Sequence, residues 1–474
     1  AVKAILKCVY EGLQVPFDTA LKIETRYFAQ IMRSKEAAAM IRSLFLSMGE
    51  LNKGARRPKA EPKTSLKKIG VIGAGFMGAG IAYVTASAGA EVVLIDRDQA
   101  AADKGKAHSD ALISARVAKG RASAADKEAL LGRIKASADY NDLKGCDLVV
   151  EAVFEDRGVK AETTKKAQAV LGPDVIFASN TSTLPITSLA SEAIKPENFI
   201  GIHFFSPVDK MLLVEIIMGE KTGDKALATA LDFVRLIKKT PIVVNDTRGF
   251  YANRCVGRYI AEGHLMLMEG VPPAMIENVA RMAGMPVGPL SLNDEVAIDL
   301  SWRVVQATKK DLGEQAVDPA QEKLIKTMVV DHERFGRKNG KGFYDYPQGG
   351  KKKLWPGLGA LAGKALDPDG IDVEELKQRF LAVQAVEAAR TMTEGVVTDP
   401  READVGSILG FGFAPFTGGT ISYIDFMGTK KFVELCDKLT ARYGDRFAPP
   451  AVLREMAKTG ETFYGKFAPK AKAA

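Results

Sequence analysis

The stretch Lys68-Ile-Gly-Val-Ile-Gly-Ala-Gly-Phe-Met-Gly-Ala-Gly-Ile-Ala82 decides the fold class of this chain. It begins as an apolar strand, and the glycines that follow have the spacing of a dinucleotide-binding turn. Gly73 permits the tight turn, Gly75 lets a pyrophosphate approach the backbone, and Gly78 lets the next helix pack closely on the strand. The phosphates would lie at the N-terminus of that helix, where backbone N–H groups point outward.

Asp96 supports the dinucleotide interpretation. It ends the next apolar strand, about 20 residues after the glycines, where a carboxylate can bind both ribose hydroxyls. The same carboxylate repels a 2′-phosphate, so the sequence favours NAD over NADP, although Arg97 beside it would attract that phosphate. A glycine-rich turn without a cofactor and a flavin site are the alternatives.

Short apolar strands alternate with helical stretches up to about residue 248. This alternation predicts a mostly parallel sheet with helices on its faces, the doubly wound α/β arrangement. From Phe250 onward the strand pattern disappears, so an α-helical half should follow the α/β domain. The predicted strands are 68–72, 92–96, 148–152, 175–179, 199–203 and 212–218.

The helical half contains an internal repeat. Gly284-Met-Pro-Val-Gly-Pro289, with Asp299 ten residues after the proline, is matched 126 positions later by Gly410-Phe-Gly-Phe-Ala-Pro415, with Asp425 at the same distance. A Glu-Gly-Val tripeptide precedes each segment. Two similar helical subdomains are predicted, because repeated units of this size usually stack to bury faces that neither buries alone. Chance recurrence of Gly-Pro turns is the alternative.

Residues 1–65 are predicted to be helices that end in a linker. Apolar residues recur at helical spacing in 2–9 and again in 17–48, and residues 52–65 are rich in glycine, proline and basic residues. The uncharged stretch 69–90 is long enough for a membrane span, but its glycines divide it into strand, turn and helix. We therefore expect a domain boundary near residue 65 and no membrane span.

Composition excludes several classes of protein. The chain has 474 residues, of which 46% are hydrophobic and 26% charged, as in multidomain globular proteins rather than disordered or collagen-like ones. Its four cysteines form no CxxC pair, so we expect no disulfide framework, no metal site and a reducing, cytoplasmic location. Of the +8 net charge, +6 falls in residues 1–63, where 12 Lys and Arg face 6 acidic residues. The nearly neutral remainder argues against nucleic-acid binding.

His203 and Glu215 are the strongest candidates for acid–base chemistry. His203 closes an apolar strand at the edge where doubly wound sheets bind ligands, and Glu215 interrupts an apolar run, where a carboxylate needs a partner. A glutamate bound to one imidazole nitrogen would raise the basicity of the other and suit a general base. A structural histidine and a solvent-facing glutamate are the alternative.

Two further polar positions are candidates for substrate contacts, and the alternative is that they serve only as caps or turn formers. Ser182 follows the strand that ends at residue 179. Asn253 lies where the chain enters the helical half. Either side chain could hold a substrate oxygen.

Seven motifs in a fixed order resemble those of L-3-hydroxyacyl-CoA dehydrogenases. The resemblance covers most of residues 66–460, and the doubled helical half is similar to that of multifunctional β-oxidation enzymes, in which an enoyl-CoA hydratase of the crotonase fold comes first. The resemblance implies that this hydratase is missing here. The motifs lie at 73–82, 151–155, 179–182, 203–207, 213–215, 246–254 and 340–344.

The resemblance also implies an arrangement of domains. The α/β part would be a Rossmann-like NAD-binding domain, and the two helical parts would resemble the C-terminal domain of 6-phosphogluconate dehydrogenase. The expected segments are linker helices at 1–65, the NAD-binding domain at 66–248, the first helical domain at 249–346, a connection at 347–369, the second helical domain at 370–465 and a disordered tail at 466–474.

Carried over by position, the resemblance implies NAD-dependent, reversible oxidation of L-3-hydroxyacyl-CoA thioesters in fatty acid β-oxidation, with a thiolase subunit as a possible partner. His203 would be the base, Glu215 its orienting carboxylate, and Ser182 and Asn253 the groups that contact the reacting substrate. The implied cofactor residues are Gly73, Gly75, Phe76, Met77, Gly78, Asp96, Glu155 and Lys160, and the implied CoA contacts are Ser114 and Lys119.

One position departs from many single-function members, which have asparagine where Ser206 stands. A shorter side chain there would weaken a polar contact near the base.

Two other functions stay open: a non-catalytic structural relative that keeps the fold, and another NAD-dependent hydroxyacid dehydrogenase. The second usually employs a lysine base, and no lysine stands at position 203.

Overall fold

The structure, a computed structural model, describes residues 1–467 and residue 469. The chain divides into two compact units. The sheet unit comprises residues 48–258 and 387–411. The helical unit comprises residues 1–47, 259–386 and the described residues from Gly412 to Phe467. The boundaries predicted for the individual domains stay predictions.

The sheet unit is built on eight strands whose spatial order places the first strand near the centre of the sheet. The strands are β1 Lys68–Ile72, β2 Glu91–Ile95, β3 Ile134–Ser137, β4 Leu148–Glu151, β5 Ile176–Ser179, β6 Phe199–Phe204, β7 Leu213–Met218 and β8 Thr240–Asn245. Their order is β3-β2-β1-β4-β5-β6-β7-β8, and β6 and β7 form the only antiparallel pair among them. This confirms the predicted Rossmann-like α/β fold, with helices burying both faces of the sheet.

The two edge strands, β3 and β8, were absent from the sequence prediction. β3 has one fully buried large apolar residue, Ile134, so its apolar signal is weak. β8 begins Thr-Pro, and a proline argues against a strand unless that strand lies at an edge. Helices dominate after residue 250 as predicted, and the strands described there are the two-residue pair β9 Tyr344–Asp345 and β10 Lys353–Leu354.

The rest of the regular structure is helical. None of the helices in the described part of the chain has the length and apolar composition that a membrane span requires. Two short π-helical stretches, at 41–47 and 327–331, adjoin α-helices. The α-helices are α1 Val2–Gly12, α2 Phe17–Met32, α3 Lys35–Met40, α4 Met48–Asn52, α5 Phe76–Ser87, α6 Gln99–Val117, α7 Ala124–Gly132, α8 Arg157–Gln168, α9 Ile186–Ala190, α10 Asp224–Leu236, α11 Ala252–Met268, α12 Pro273–Met282, α13 Pro289–Val296, α14 Ile298–Leu312, α15 Pro319–Lys326, α16 Leu358–Leu361, α17 Val373–Thr393, α18 Pro400–Phe411, α19 Thr420–Met427, α20 Thr429–Tyr443, α21 Ala451–Thr459 and α22 Phe463–Phe467.

The internal repeat is present, but two of its predicted correspondences were wrong, one at an aspartate and one at a glycine. Asp425 accepts hydrogen bonds from the backbone N–H groups of residues 463–464, at 2.9 and 3.2 Å. In the first copy it is Asp294, rather than Asp299, that accepts the same pair of bonds from residues 343–344, at 2.7 and 2.9 Å. The linear spacing misled because the second copy has a longer loop between its proline and its aspartate.

The two copies pack against each other through equivalent glycine turns. Gly284 (φ 102°) and Gly412 (φ 70°) each follow a helix, so Gly412 and not Gly410 is the counterpart of Gly284. A Cβ atom on Gly284 would lie 2.8 Å from Ala414, and one on Gly412 would lie 2.5 Å from Pro286. Only glycine therefore permits this close reciprocal approach within the helical unit.

The N-terminal helices differ in how firmly they are packed. α1 buries no residue, and the predicted run 17–48 is interrupted at Ser34, whose hydroxyl caps α3. The following turn packs on the second helical copy, where Ser43 donates to the Gly418 carbonyl and Arg42 stacks 4.1 Å from the Tyr464 ring centroid. Of the tail predicted at 466–474, residues 466–467 belong to α22, and residues 468 and 470–474 lie outside the described residues.

Candidate active site

The glycine turn after β1 has the geometry of a phosphate cradle. Gly73 has a φ of 98°, and a Cβ there would lie 2.6 Å from the Ala152 carbonyl oxygen. A Cβ on Gly78 would lie 1.7 Å from the Gly73 carbonyl oxygen, so helix α5 can approach β1 this closely only through glycine. Gly75, in contrast, faces open space, with no heavy atom within 4 Å of its hypothetical Cβ. The turn therefore fits a pyrophosphate at the N-terminus of α5.

Asp96 ties the end of β2 to this turn. One carboxylate oxygen accepts from the Ala74 N–H at 2.6 Å, and the other accepts from the Arg97 N–H at 2.7 Å. Phe76 is 59% exposed at the start of α5, whereas Met77 is half-buried against the core of the sheet. Of these two predicted cofactor contacts, Phe76 is thus the more accessible.

His203 and Glu215 face each other across the antiparallel pair β6 and β7, where they are directly opposed in register. The imidazole Nδ1 lies 2.7 Å from a Glu215 carboxylate oxygen, and Glu215 is fully buried while His203 is 6% exposed. Because a carboxylate can only accept a hydrogen bond, the Nδ1 atom carries the hydrogen and donates the hydrogen bond to Glu215. The Nε2 atom is thereby left as the basic nitrogen.

The N-terminus of α11 holds the second oxygen of Glu215. The backbone N–H groups of Tyr251 and Ala252 donate to it at 3.2 and 2.9 Å. Gly249 (φ 73°) and Phe250 (φ 50°) make the tight turn that aims these groups at the carboxylate. Positive potential at a helix N-terminus favours an anion beside it, so these two N–H groups are suitable donors to the Glu215 carboxylate.

Ser182 and Asn253, predicted separately, are in direct contact. The Asn253 side-chain amide donates to the Ser182 carbonyl at 2.7 Å. Glu155 fixes the same turn, because one of its oxygens accepts from the Ser182 N–H at 2.9 Å and from the Thr181 hydroxyl at 2.7 Å. The Ser182 hydroxyl is therefore presented by a turn that is anchored from two sides.

Lys160 is buried between two carboxylates. Its ammonium lies 2.8 Å from Glu151 and 3.4 Å from Glu155, and both Lys160 and Glu151 are 1% exposed. Burial raises the pKa of Glu151, although Lys160 and the Ser179 hydroxyl oppose this. Burial also tends to raise the pKa of Glu155, but Lys160 and the N–H and hydroxyl donors outweigh it, so that pKa lies below its usual value.

Sequence reasoning did not identify Glu151, which shapes the site by holding Lys160. The sequence contains a pattern that could have identified Glu151: a carboxylate ends the apolar strand β4, and a lysine follows nine positions later. Asp246 was quoted in a motif without a role. Its carboxylate accepts from the N–H groups of Ile186 and Thr187 at 2.9 and 2.7 Å and so caps α9, which follows the Ser182 turn.

The two predicted CoA contacts lie apart from this group. Ser114, on α6, donates to Asp110 at 2.7 Å and accepts from Lys127 at 2.9 Å. Lys119 is exposed in the turn after that helix. Within the described residues, neither side chain is hydrogen-bonded to His203, and their assignment stays a prediction.

Family models match this chain in two adjacent segments. Residues 68–247 match the model of the 3-hydroxyacyl-CoA dehydrogenase NAD binding domain, and residues 249–346 match that of the 3-hydroxyacyl-CoA dehydrogenase C-terminal domain. The first match confirms NAD as the cofactor, over a flavin or a turn without a cofactor.

Individual relatives show the same similarity. The chain is 39% identical over 467 residues to a fatty acid oxidation complex subunit alpha of Shewanella amazonensis, covering 97% of this chain and 65% of that protein. A crystal structure of 3-hydroxybutyryl-CoA dehydrogenase from Escherichia coli is 25% identical, with a TM-score of 0.71, over 84% of this chain and 99% of its own. The (S)-3-hydroxybutyryl-CoA dehydrogenase of Ralstonia eutropha is 36% identical, with a TM-score of 0.57, over 60% of this chain and 100% of its own.

Proposed function

This chain belongs to the 3-hydroxyacyl-CoA dehydrogenase family, and on that premise we propose that His203 is the base of an NAD-dependent oxidation of L-3-hydroxyacyl-CoA to 3-oxoacyl-CoA. The observation that carries the proposal is the 2.7 Å contact between the His203 Nδ1 and the buried Glu215, which leaves Nε2 free to accept a proton. An imidazole whose tautomer is fixed by a carboxylate is a suitable general base near neutral pH.

In this mechanism, His203 removes the proton of the substrate 3-hydroxyl through Nε2. Glu215 stabilises the imidazolium that results, and the N–H groups of Tyr251 and Ala252 keep Glu215 charged while it does so. NAD, when bound, accepts the hydride that leaves the substrate C3. In the reverse direction, the imidazolium returns the proton to the oxygen of the 3-oxo group.

Ser182 and Asn253 supply positioning and electrostatic stabilisation. The Ser182 hydroxyl stabilises the substrate oxygen as negative charge develops on it. Glu155 holds the backbone of this turn and also accepts from the Ser182 hydroxyl at 3.3 Å, so that hydroxyl must turn away from Glu155 to donate to the substrate oxygen. The Asn253 amide keeps the carbonyl of the turn in place while it does so. The Gly73–Gly78 turn and Asp96 hold the pyrophosphate and the ribose of the cofactor.

Reduction of acetoacetyl-CoA by NADH, followed by the loss of NADH absorbance, tests the proposal. The expected result is turnover within the usual range for enzymes, about 1 to 10³ per second. A non-catalytic structural relative would bind NADH without consuming it, so binding without turnover would contradict the proposal. Turnover of simple hydroxyacids but not of their CoA thioesters would instead favour another hydroxyacid dehydrogenase.

Replacing Asp96 by alanine tests the cofactor part of the proposal. The change removes a carboxylate that anchors the Ala74 N–H and that is placed to bind ribose and repel a 2′-phosphate. We expect NADH to bind roughly 10-fold more weakly. The ratio of the affinity for NADH to the affinity for NADPH should become smaller. Titration of both cofactors against Asp96→Ala and a matched Asp98→Ala control measures this; an unchanged NADH/NADPH ratio would assign the preference to another group.

The chain spans about 65% of the length of the curated relatives it matches. The activity of the whole protein is therefore a separate part of the proposal. We propose that the whole protein also carries an enoyl-CoA hydratase and associates with a thiolase subunit, which the relative's name as a subunit of a fatty acid oxidation complex supports. A cytoplasmic location is part of the same proposal, since the four cysteines are unpaired.

A further inference from the structure

Arg254, the residue after Asn253, forms a charged group with Glu387 of α17 and with Glu394, the residue that follows that helix. Its guanidinium lies 2.7 Å from Glu387, and it also makes a bidentate contact with Glu394. All of these residues belong to the sheet unit, as do His203 and Glu215. The first turn of α11 therefore touches the proposed catalytic pair on one side and two carboxylates of the second helical copy on the other.

Glu387 is the buried member of this group. It is 3% exposed, and its second oxygen also lies 3.3 Å from Arg258 and 3.2 Å from Arg390. Burial tends to raise the pKa of Glu387, but the Arg258 and Arg254 guanidiniums outweigh it and hold that pKa below its usual value. Because Glu387 is the buried anion that these guanidiniums share, removing its charge leaves Arg254 paired with the half-exposed Glu394.

A second group with the same chemistry exists in the helical unit. Arg379 donates to Glu262 at 2.6 Å and to Glu269 at 2.6 and 2.9 Å. The residue spacing is identical in the two segments, and each segment gives an arginine to one group and two glutamates to the other. The second glutamate of each segment directly follows its helix. The matching sets are Arg254, Glu262 and Glu269, in and directly after α11, and Arg379, Glu387 and Glu394, in and directly after α17.

The two groups differ in what the arginine is attached to. Arg254 follows Ala252 and Asn253, whose backbone N–H and side-chain amide bind Glu215 and the Ser182 turn. Arg379 lies inside α17, where its guanidinium stacks 3.8 Å from the Tyr443 ring centroid. The repeat thus contains one charged group beside the reacting residues and one that is purely a part of the helical packing.

We propose that Arg254, with Glu387 and Glu394, positions the active site by fixing the first turn of α11. This inference rests on the proposed dehydrogenase function. The ion pairs hold the N–H donors of Tyr251 and Ala252 on Glu215, and they hold the Asn253 amide on the Ser182 carbonyl. The second helical copy thereby supplies two carboxylates on which the geometry of the reacting groups depends, although neither carboxylate touches substrate.

Glu387→Gln tests the proposal, and Glu262→Gln is its matched control, since both remove a buried glutamate from an equivalent ion pair. We expect Glu387→Gln to lower kcat about 10- to 100-fold with the KM for NADH unchanged, because small displacements of reacting groups have effects of that size. Glu262→Gln should lower Tm by at least as much but leave kcat unchanged. Glu387→Asp should restore part of the rate.

A readout independent of turnover is the titration of His203. The chain has four histidines, so the His203 NMR signal can be assigned by comparison with His203→Ala. If the first turn of α11 shifts, Glu215 moves away from the imidazole and stabilises the imidazolium less. The midpoint of the His203 titration should therefore fall in Glu387→Gln and stay constant in Glu262→Gln.

The outcomes separate the two claims. Equal kcat, pH profile and His203 titration in Glu387→Gln and Glu262→Gln would overturn the positioning role. A wild-type protein without turnover would overturn the dehydrogenase proposal, while the His203 titration would still decide the positioning role. Should Glu387→Gln fail to fold, the half-exposed Glu394→Gln and its counterpart Glu269→Gln decide the positioning role by the same criteria.

Discussion

Two buried histidines of this chain have opposite environments. His203, at the end of β6, is 6% exposed and donates to a carboxylate 2.7 Å away. His264, inside α11, is fully buried and stacked 5.3 Å from the Phe343 ring, and neither of its ring nitrogens has a hydrogen-bond partner among the described residues. Asn293 approaches the ring without hydrogen-bond geometry.

The difference lies in the hydrogen-bond partner and not in burial, since both side chains are buried but, in the described part of the chain, only His203 faces a carboxylate. Burial lowers the pKa of His264 to about 4, with only slight opposition from Asn293, so this imidazole stays neutral and acts as a packed aromatic ring. His203 is also buried, but its Nδ1 lies 2.7 Å from the Glu215 carboxylate, whereas His264 has no such partner among the residues that the structure describes. A histidine that must gain and lose a proton needs such a partner, and a core histidine does not.

Replacing each histidine in turn should give the largest expected effect, a difference in kcat between the two variants. His203→Ala should bind NADH normally but lose about 10²- to 10⁴-fold in kcat, the usual contribution of a positioned acid or base. His264→Leu should keep its kcat, because His264 has no proton-transfer partner. Steady-state assays with acetoacetyl-CoA, together with NADH titrations, check both. Comparable rates in wild type and His203→Ala would remove His203 from the mechanism.

Glu215→Gln tests the comparison from the other side, because it leaves the His203 imidazole without a carboxylate partner, as His264 is within the described residues. The amide cannot stabilise the imidazolium, and one of its hydrogens would face the N–H donors of Tyr251 and Ala252. We expect kcat to fall roughly 10- to 100-fold, as when the carboxylate partner of a functional histidine is removed. The pH profile of kcat/KM should shift with it. An unaltered rate and profile would show that the 2.7 Å contact has no catalytic role.

The smallest expected effect is on the unfolding free energy of the protein at acidic pH. Because the pKa of His264 is lowered to about 4 in the folded protein, its contribution to stability is complete above the unfolded value near 6.5 and is lost as the pH falls from there to about 4. At pH 5 the loss should be about 2 kcal/mol of unfolding free energy. His264→Leu should reduce this acid sensitivity, whereas the exposed His332→Leu should not. Denaturant unfolding at pH 7 and pH 5 measures the difference, and identical acid sensitivity in the three proteins would contradict the assignment.

The interior of the sheet could be predicted from sequence and its edges could not. Strands β1, β2, β4 and β5 are buried on both faces, so each is a continuous apolar run between turn signals. The edge strands β3 and β8 lack that signal. In the repeat, sequence spacing indicated a second copy, but only the backbone hydrogen bonds showed that Asp294 rather than Asp299 corresponds to Asp425.

Within the site, individual residues were easier to predict than their contacts. Four polar side chains stand out because each occurs within or after an apolar run or at a helix start: His203, Glu215, Ser182 and Asn253. Glu151 lies in such a run too, but its importance depends on Lys160, which reaches it from α8. No local pattern reports that a lysine on a neighbouring helix will be buried against a given carboxylate.

The sequence by itself determined the dinucleotide turn, the mostly parallel sheet, the doubled helical half and the polar residues of the site. These follow from local rules, since glycine spacing, strand burial and helical periodicity are properties of neighbouring residues. The tertiary structure decided which residues pair: His203 with Glu215, Asn253 with the Ser182 carbonyl, and Arg254 with Glu387. Such pairing depends on the register of strands and the packing of helices, which bring together residues that are far apart in the chain.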